Sequence, residues 1–173
     1  MISRIGKIGI WRGLHTGKPP FTVTGTLHEV GPIVGAYAEV QHAFTQEAVK
    51  TFADLCGDTN PIHFDRHAAQ QGGMFQDKVV HGLLVSGLFS TLFGRVISGS
   101  IYVKQSLHFK SPVYIDATVL AKMTVIKVDD WKRRGMLITC STVCTCNDVV
   151  VIDGEAKVLI PPSAVRNNRS TDG

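Results

Sequence analysis

Apolar and polar residues alternate along 36–44, AYAEVQHAF, with the period of two that a half-buried strand requires. Thr45 then stands as an N-cap for a helix over 46–56, with Glu47 in the first turn to complement the helix dipole. Val49, Phe52, Ala53 and Cys56 recur at helical spacing and define its buried stripe, and Gly57 is a natural terminator because it accepts a positive φ. Residues 82–97, GLLVSGLFSTLFGRVI, are apolar on nearly every side, which predicts a central helix enclosed by protein on most faces. From Ser100 onward the pattern is that of strands: 100–110 is expected to pair with 117–128, and 135–147 with 148–160 around Asn147-Asp148. Upstream, 21–44 is extended in character, broken at Gly31-Pro32. Long antiparallel strands following one apolar helix predict an α+β fold in which the sheet curls around that helix.

Between the two main helices the pattern gives way to chemistry. Residues 58–65 form a polar turn carrying Asp58, Asn60, Pro61, His63 and Asp65. Pro61 fixes its own φ and drives Asn60 towards an extended conformation, so Asp58 and His63 sit on a stiff loop. Residues 66–78 read as a short helix and a lip with Gly72-Gly73 as a hinge, and the chain then reaches His81-Gly82 at the start of the central helix. An acid and an imidazole beside the positive end of a buried helix are suited to proton transfer next to a developing negative charge.

Composition narrows the picture. The chain of 173 residues is 44% hydrophobic and 18% charged, a globular balance sufficient for one domain with a real core. Net charge is +4, from 18 basic and 14 acidic residues, a mild excess compatible with phosphate-bearing substrates. No basic run is interleaved with aromatics, so nucleic acid is not an expected partner, and the apolar run near 79–93 is too short and interrupted to span a membrane. Cys56, Cys140, Cys144 and Cys146 form neither a CxxC pair nor a disulfide framework, which favours a reducing compartment. Cys140, Cys144 and Cys146 fall on one face of a straight strand with no histidine at ligand spacing, so they read as core, and no metal is expected. The first 20 residues contain Arg4, Lys7, Arg12 and Lys18 but no acid, and the first acidic residue is Glu29. That pattern fits an organellar presequence, and equally a basic tail or extra strand. The domain division is then a basic extension over 1–20, one domain over 21–162, and a loose polar tail over 163–173.

The run FADLCGDTNPIHFD, with Ala69 six residues past the histidine, resembles the hydratase motif of the (R)-specific enoyl-CoA hydratases, the MaoC-like branch of the hotdog fold. VVHGLL resembles the helix start that follows in that family, and SIYVKQSLHFKSPV and DGEAKVLIP resemble its later strands, so the likeness covers about residues 40–162. Cys56 stands where many members have a small residue such as Ser, Asp116-Ala117 replaces a usual Gly-Asp, and the first 20 residues have no counterpart. The resemblance implies a hotdog fold and reversible syn hydration of trans-2-enoyl-CoA, or enoyl carrier protein, to an (R)-3-hydroxyacyl thioester. It implies a homodimer, no cofactor beyond the CoA or phosphopantetheine of the substrate, and no metal. With a presequence, a mitochondrial 3-hydroxyacyl-thioester dehydratase is the nearest role; without one, the location is cytoplasmic.

Hydration needs a base for water, a proton for C2 and donors for the charge that grows on the thioester oxygen. Asp58 is expected as principal base, with Asp58 or His63 returning the proton to C2. The Gly82 N–H, at the dipole end of the helix, is the expected oxyanion donor, and a glycine there lets the thioester approach. Asn60 is a water-positioning candidate, Ser90 matches a serine that the hydratases carry near the site and is one turn from Ser86, and Phe93 is a candidate to close the acyl tunnel. Plain structural roles compete: Asp58 and Asp65 as turn or cap residues, Ser90 bonded back to its own helix, and His81 as a structural residue ahead of the helix. Arg66, Lys78, Lys104 and Lys110 are candidates for a rim facing an acidic carrier. Two rival functions remain: a hotdog thioesterase, with Asp58 activating water at the carbonyl, and a non-catalytic acyl-thioester binding protein.

Overall fold

The computed structural model describes residues 21–167, so the basic extension over 1–20 and the last six residues of the polar tail lie outside the described residues. Seven strands, β1 (Val23–Thr24), β2 (Tyr37–Ala43), β3 (Ile101–Gln105), β4 (His108–Phe109), β5 (Thr118–Asp130), β6 (Met136–Cys146) and β7 (Val149–Ile160), form one antiparallel sheet. Its order is β1-β2-β5-β6-β7-β3, with β4 also on β7. The helices are α1 (Leu27–Val30), α2 (Gln46–Cys56), α3 (Arg66–Gln70), α4 (Gly82–Val96) and α5 (Pro162–Asn167).

Alternation in the sequence becomes the inner face of the sheet. Along β5, Val119, Ala121, Met123 and Val125 are buried, and they meet Ala38 and Val40 of β2 and Cys140 and Cys144 of β6 in one core. Into that hollow α4 lays Val85, Leu88, Phe89, Leu92 and Phe93. Ala38 and Ala121, paired next to larger neighbours and fully buried, leave room for the helix's bulky side chains. Burial holds the thiols of Cys140 and Cys144 in their neutral form, pushing each up to about 12, so both act as small apolar packing groups.

Four expectations need correction. The segment 100–110 does not pair with 117–128: β3 and β4 lie on β7, and β5 lies between β2 and β6. A crossover of this kind leaves no local signal, because adjacent strands in sequence are not adjacent in the sheet. The other expected hairpin, β6 to β7, does form, and Asn147 and Asp148 take φ of 49° and 61°, the left-handed pair that a tight hairpin turn demands. As expected, α4 is enclosed on most faces; the remaining face is an open stripe, where Leu83 is 62% exposed and Gly87, Ser90 and Gly94 follow at helical spacing. Second, Cys56 is exposed rather than part of the buried stripe of α2, which rests on Val49 and Ala53. Third, the start of the tail is ordered: Pro162 opens α5, whose Ala164 packs into the core. Fourth, 21–44, expected to be extended, contains the one-turn α1.

Leu92 touches only protein, whereas Leu55, on the outer face of α2, is 84% exposed. Leu92→Ala is expected to lower unfolding free energy by about 2–5 kcal/mol, with Leu55→Ala within about 0.5 kcal/mol of the parent, both read by urea denaturation.

Candidate active site

Helix α2 is started by the Thr45 hydroxyl, which accepts from the Ala48 N–H at 3.2 Å, and it ends at Gly57, whose φ of 82° turns the chain out of the helix. The next residues are locked by short-range bonds. Asp58 Oδ1 accepts the Asn60 N–H at 3.3 Å, and Asn60 Oδ1 accepts the Ile62 N–H at 3.3 Å, opening a single 3-10 turn over Pro61–His63. Asp65 caps α3, accepting from the amides of His67 and Ala68. Beyond α3 the chain passes Gly72 and Gly73, both at positive φ, and returns to the turn as an extended segment at Val79. There the Val79 N–H donates to the Ile62 carbonyl at 3.2 Å, and the next residue's N–H donates to Val113 at 2.8 Å.

This return fixes the imidazole. His63 is 6% exposed, and its Nδ1 lies 2.7 Å from the Val79 carbonyl, which can only accept. Nδ1 therefore carries the proton, and Nε2 presents a lone pair. That Nε2 is 3.9 Å from Asp58 Oδ2, too far for a direct hydrogen bond. The two basic atoms instead face one small gap, with Asp58 half-exposed and His63 buried. Burial lowers the pKa of His63; the neighbouring His81 lowers it further, while the Val79 carbonyl and Asp58 act in the opposite direction.

His81 completes the cluster. It precedes α4, is 3% exposed, and stacks on His63 with ring centroids 3.6 Å apart and planes inclined by 24°. Among the described residues, Asp58, His63 and His81 bring three metal-ligand-type atoms within 4.8 Å of one another. His81 Nε2 is engaged with the Asp58 carbonyl at 3.0 Å, however, so two free donor atoms remain.

Of the residues singled out in the sequence, Asp58, His63 and Gly82 meet here, with Gly82 as the first residue of α4 directly after His81. The need for glycine has a local cause besides ligand access: a Cβ at position 82 would lie 2.6 Å from Cε1 of Phe109. Asn60 acts in the turn, through its own backbone neighbours. Ser90 is exposed, two turns along α4, and makes no hydrogen bond to Asp58 or His63. Phe93 is a core residue, meeting Tyr102 edge-on at 5.1 Å. His81, read from the sequence as a structural residue ahead of the helix, is part of this cluster. Its only signal was adjacency to the helix start, which by itself says nothing about a stacked partner 18 residues earlier.

The description "MaoC like domain" matches residues 32–144, spanning β2 through most of β6 and hence every member of this cluster. The chain belongs to the MaoC-like family. Within it, the chain is 38% identical over 130 residues to the mitochondrial 3-hydroxyacyl-[acyl-carrier-protein] dehydratase of Arabidopsis thaliana, covering 74% of this chain and 77% of that one. It is 38% identical over 129 residues to the (R)-specific enoyl-CoA hydratase of Rhodospirillum rubrum, covering 73% and 87%. Among solved structures, the (R)-hydratase from Aeromonas caviae superposes with a TM-score of 0.69 at 35% identity, over 75% of this chain and 97% of that one. This MaoC-like chain therefore has the hotdog arrangement, with an antiparallel sheet around α4.

Because burial depresses His63, it is expected to titrate below the ordinary imidazole value of 6.5, a midpoint readable from the imidazole resonances by NMR. The folded state then binds fewer protons than the unfolded chain in the window just below 6.5, so stability falls as pH drops through it. His63→Gln is expected to flatten that fall, measured as urea midpoints between about pH 7 and 5.

Proposed function

We propose that this chain is a hydro-lyase of fatty-acid metabolism that adds water reversibly and syn across trans-2-enoyl thioesters, giving (R)-3-hydroxyacyl thioesters. The observation that carries this reading is the pair of basic atoms, Asp58 Oδ2 and His63 Nε2, facing each other at 3.9 Å beside the start of α4. Two acceptors at that spacing suit a single water donating one O–H to each, at ordinary hydrogen-bond lengths. The names of the relatives, hydratases and dehydratases acting on CoA and carrier-protein thioesters, support the same chemistry.

The reaction balances with these groups alone. In hydration, one base takes a proton from water as its oxygen bonds to C3 and the C2=C3 π pair moves toward the thioester carbonyl. The enolate-like oxygen is met by the Gly82 N–H, which as the first helical residue has no intrahelical acceptor and stands at the positive end of the helix. The same proton then passes to C2 as the electron pair returns, leaving the base as it began. Since both Asp58 and His63 enter as acceptors, the proton delivered to C2 is one that came from the water, and delivery from one side is syn addition. Neither a metal nor a cofactor takes part in these steps, and EDTA is not expected to change the rate.

For the carrier, the rim supports CoA at least as well as an acidic protein. Arg66 Nε lies 3.7 Å from Asp77, Lys110 pairs with Asp153, and Lys78 bonds to Gln46, which leaves Lys104 as the unengaged member of the four rim candidates. We further propose a homodimer. β3 ends the sheet as an edge strand, and Ile101, Tyr102, Val103 and Phe109 stand 52%, 38%, 51% and 56% exposed, next to the open stripe of α4 that begins at Leu83. An edge this apolar needs a cover, and a second copy supplies one. The acid-free N-terminal run and the mitochondrial plant relatives support a mitochondrial location. Fusion of residues 1–25 to a fluorescent protein tests it.

With crotonyl-CoA, the enoyl absorbance is expected to fall without release of free thiol, and chiral analysis to return the (R) product. Thiol release would instead mark a thioesterase, and an (S) product would remove the family chemistry. Asp58→Asn and His63→Ala are each expected to fold and to lose at least about 10²-fold in rate. Light scattering is expected to give twice the chain mass, and Val103→Asp to shift the protein toward monomer; a stable monomeric parent would rule out the dimer.

A further inference from the structure

The hydration reading leaves His81 without a task, yet this ring is 3% exposed and touches both Asp58 and His63. Its Nε2 is 3.0 Å from the Asp58 carbonyl oxygen and 3.9 Å from Asp58 Oδ2. Both are acceptors, so Nε2 carries the proton and donates. Its ring face lies on His63, and Phe52 of α2 packs 5.1 Å away. A residue serving only to cap α4 would turn its polar atoms onto the free amides of the first helical turn. His81 makes no such bond, and its Nδ1 is buried without any partner among the described residues. The ring is therefore oriented by what Nε2 and the stacking face touch. His81 thus holds the Asp58 main chain, while the half-exposed side chain is restrained by the 3.3 Å bond that its Oδ1 accepts from the Asn60 N–H.

We propose that His81 is a positioning residue for the hydration reaction: its Nε2–H grips the Asp58 segment while its ring backs the His63 imidazole, so that the two bases hold one spacing. The inference rests on the reading of Asp58 and His63 as the bases, and it assigns His81 no proton transfer to substrate. Both bases would still be present without it, but their gap would no longer be set. A misplacement of about 1 Å in a reacting group costs on the order of 10²-fold in rate. The loss is expected in kcat, since His81 is 3% exposed and its contacts are with the Asp58 main chain and the His63 ring.

The test compares His81→Phe, which keeps a flat ring but no donor, with His81→Gln, whose side-chain amide places an N–H near the position of Nε2. Expected for His81→Phe is a fall in kcat of about 10²-fold with KM little changed, together with faster amide exchange at Asn60 and Ile62 while core amides keep their protection. His81→Gln is expected to restore most of both. His81→Leu carries the same comparison if the phenyl ring prevents folding. A parent enzyme that hydrates crotonyl-CoA alongside a His81→Phe variant of equal kcat overturns the inference and leaves the hydratase reading standing. A parent that turns over no enoyl thioester removes the hydratase reading, and the exchange data then decide alone: unchanged protection at Asn60 and Ile62 in His81→Phe overturns the anchoring role.

Discussion

Two residues of extended chain, Val79 and Val80, are the point on which the site depends. The Val79 N–H donates to Ile62, the Val79 carbonyl accepts from His63 Nδ1, and the Val80 N–H donates to Val113. Both side chains are buried as well, at 5% exposure each. Three otherwise separate parts, the acid-bearing turn, the sheet side of the molecule and the start of α4, are thereby tied through consecutive peptide groups. Because a buried backbone group left unpaired costs about 1–3 kcal/mol, shifting this segment by one residue would break several such bonds together. The tautomer of His63, and with it the availability of the Nε2 lone pair, follows from the position of one carbonyl.

The packing of α4 explains how that tie is kept at a constant height. Phe89, Leu92 and Phe93 are fully enclosed in the core that α4 forms with β2 and β5, so the helix cannot slide along its axis without opening cavities there. Its N-terminus, with Gly82 pressed against the Phe109 ring, is in effect a fixed point of the sheet. A stiff turn and a rigid helix start, each supported from a different direction, face one another across the gap between Asp58 and His63. Loops carry the bases here, but neither loop is free to choose its conformation.

Local rules made much of this legible in the sequence. The Thr45 cap, the Gly57 terminator and the Asn147-Asp148 turn each state their conformation within a few residues, and each appears as such. Asp58 and His63 were legible for the same reason: five residues around a proline can only separate so far. What local rules do not carry is partnership across the sheet. The pairing of β3 and β4 with β7 in place of β5 depends on which faces are left once β5, β6 and β7 have formed. The open stripe of α4 was hidden by a related effect, since Leu83 looks in sequence like Leu84 or Leu88, and only the reach of the sheet decides which of them it covers. Ser90 and Phe93 sat four and seven residues beyond Ser86 on a helix that was judged from its start. The chain places one on the open stripe and the other in the core, two sides that a uniformly apolar pattern cannot distinguish.

His81 shows why the remainder of the site escaped a reading residue by residue. Its Nδ1 is buried with no partner among the described residues, and a buried group left unpaired costs about 1–3 kcal/mol relative to a satisfied one. Moving the single proton from Nε2 to Nδ1 would add a second fault, two lone pairs facing each other across 3.0 Å at the Asp58 carbonyl. The Asp58 carbonyl therefore selects the Nε2–H tautomer, and this leaves one defect that a leucine or phenylalanine in the same cavity would not have. Sites where a local rule is broken without relief are where function is to be sought. Here the ring that breaks the rule stacks on the buried base with centroids 3.6 Å apart, and the atom on its satisfied side is the one that holds the Asp58 peptide carbonyl.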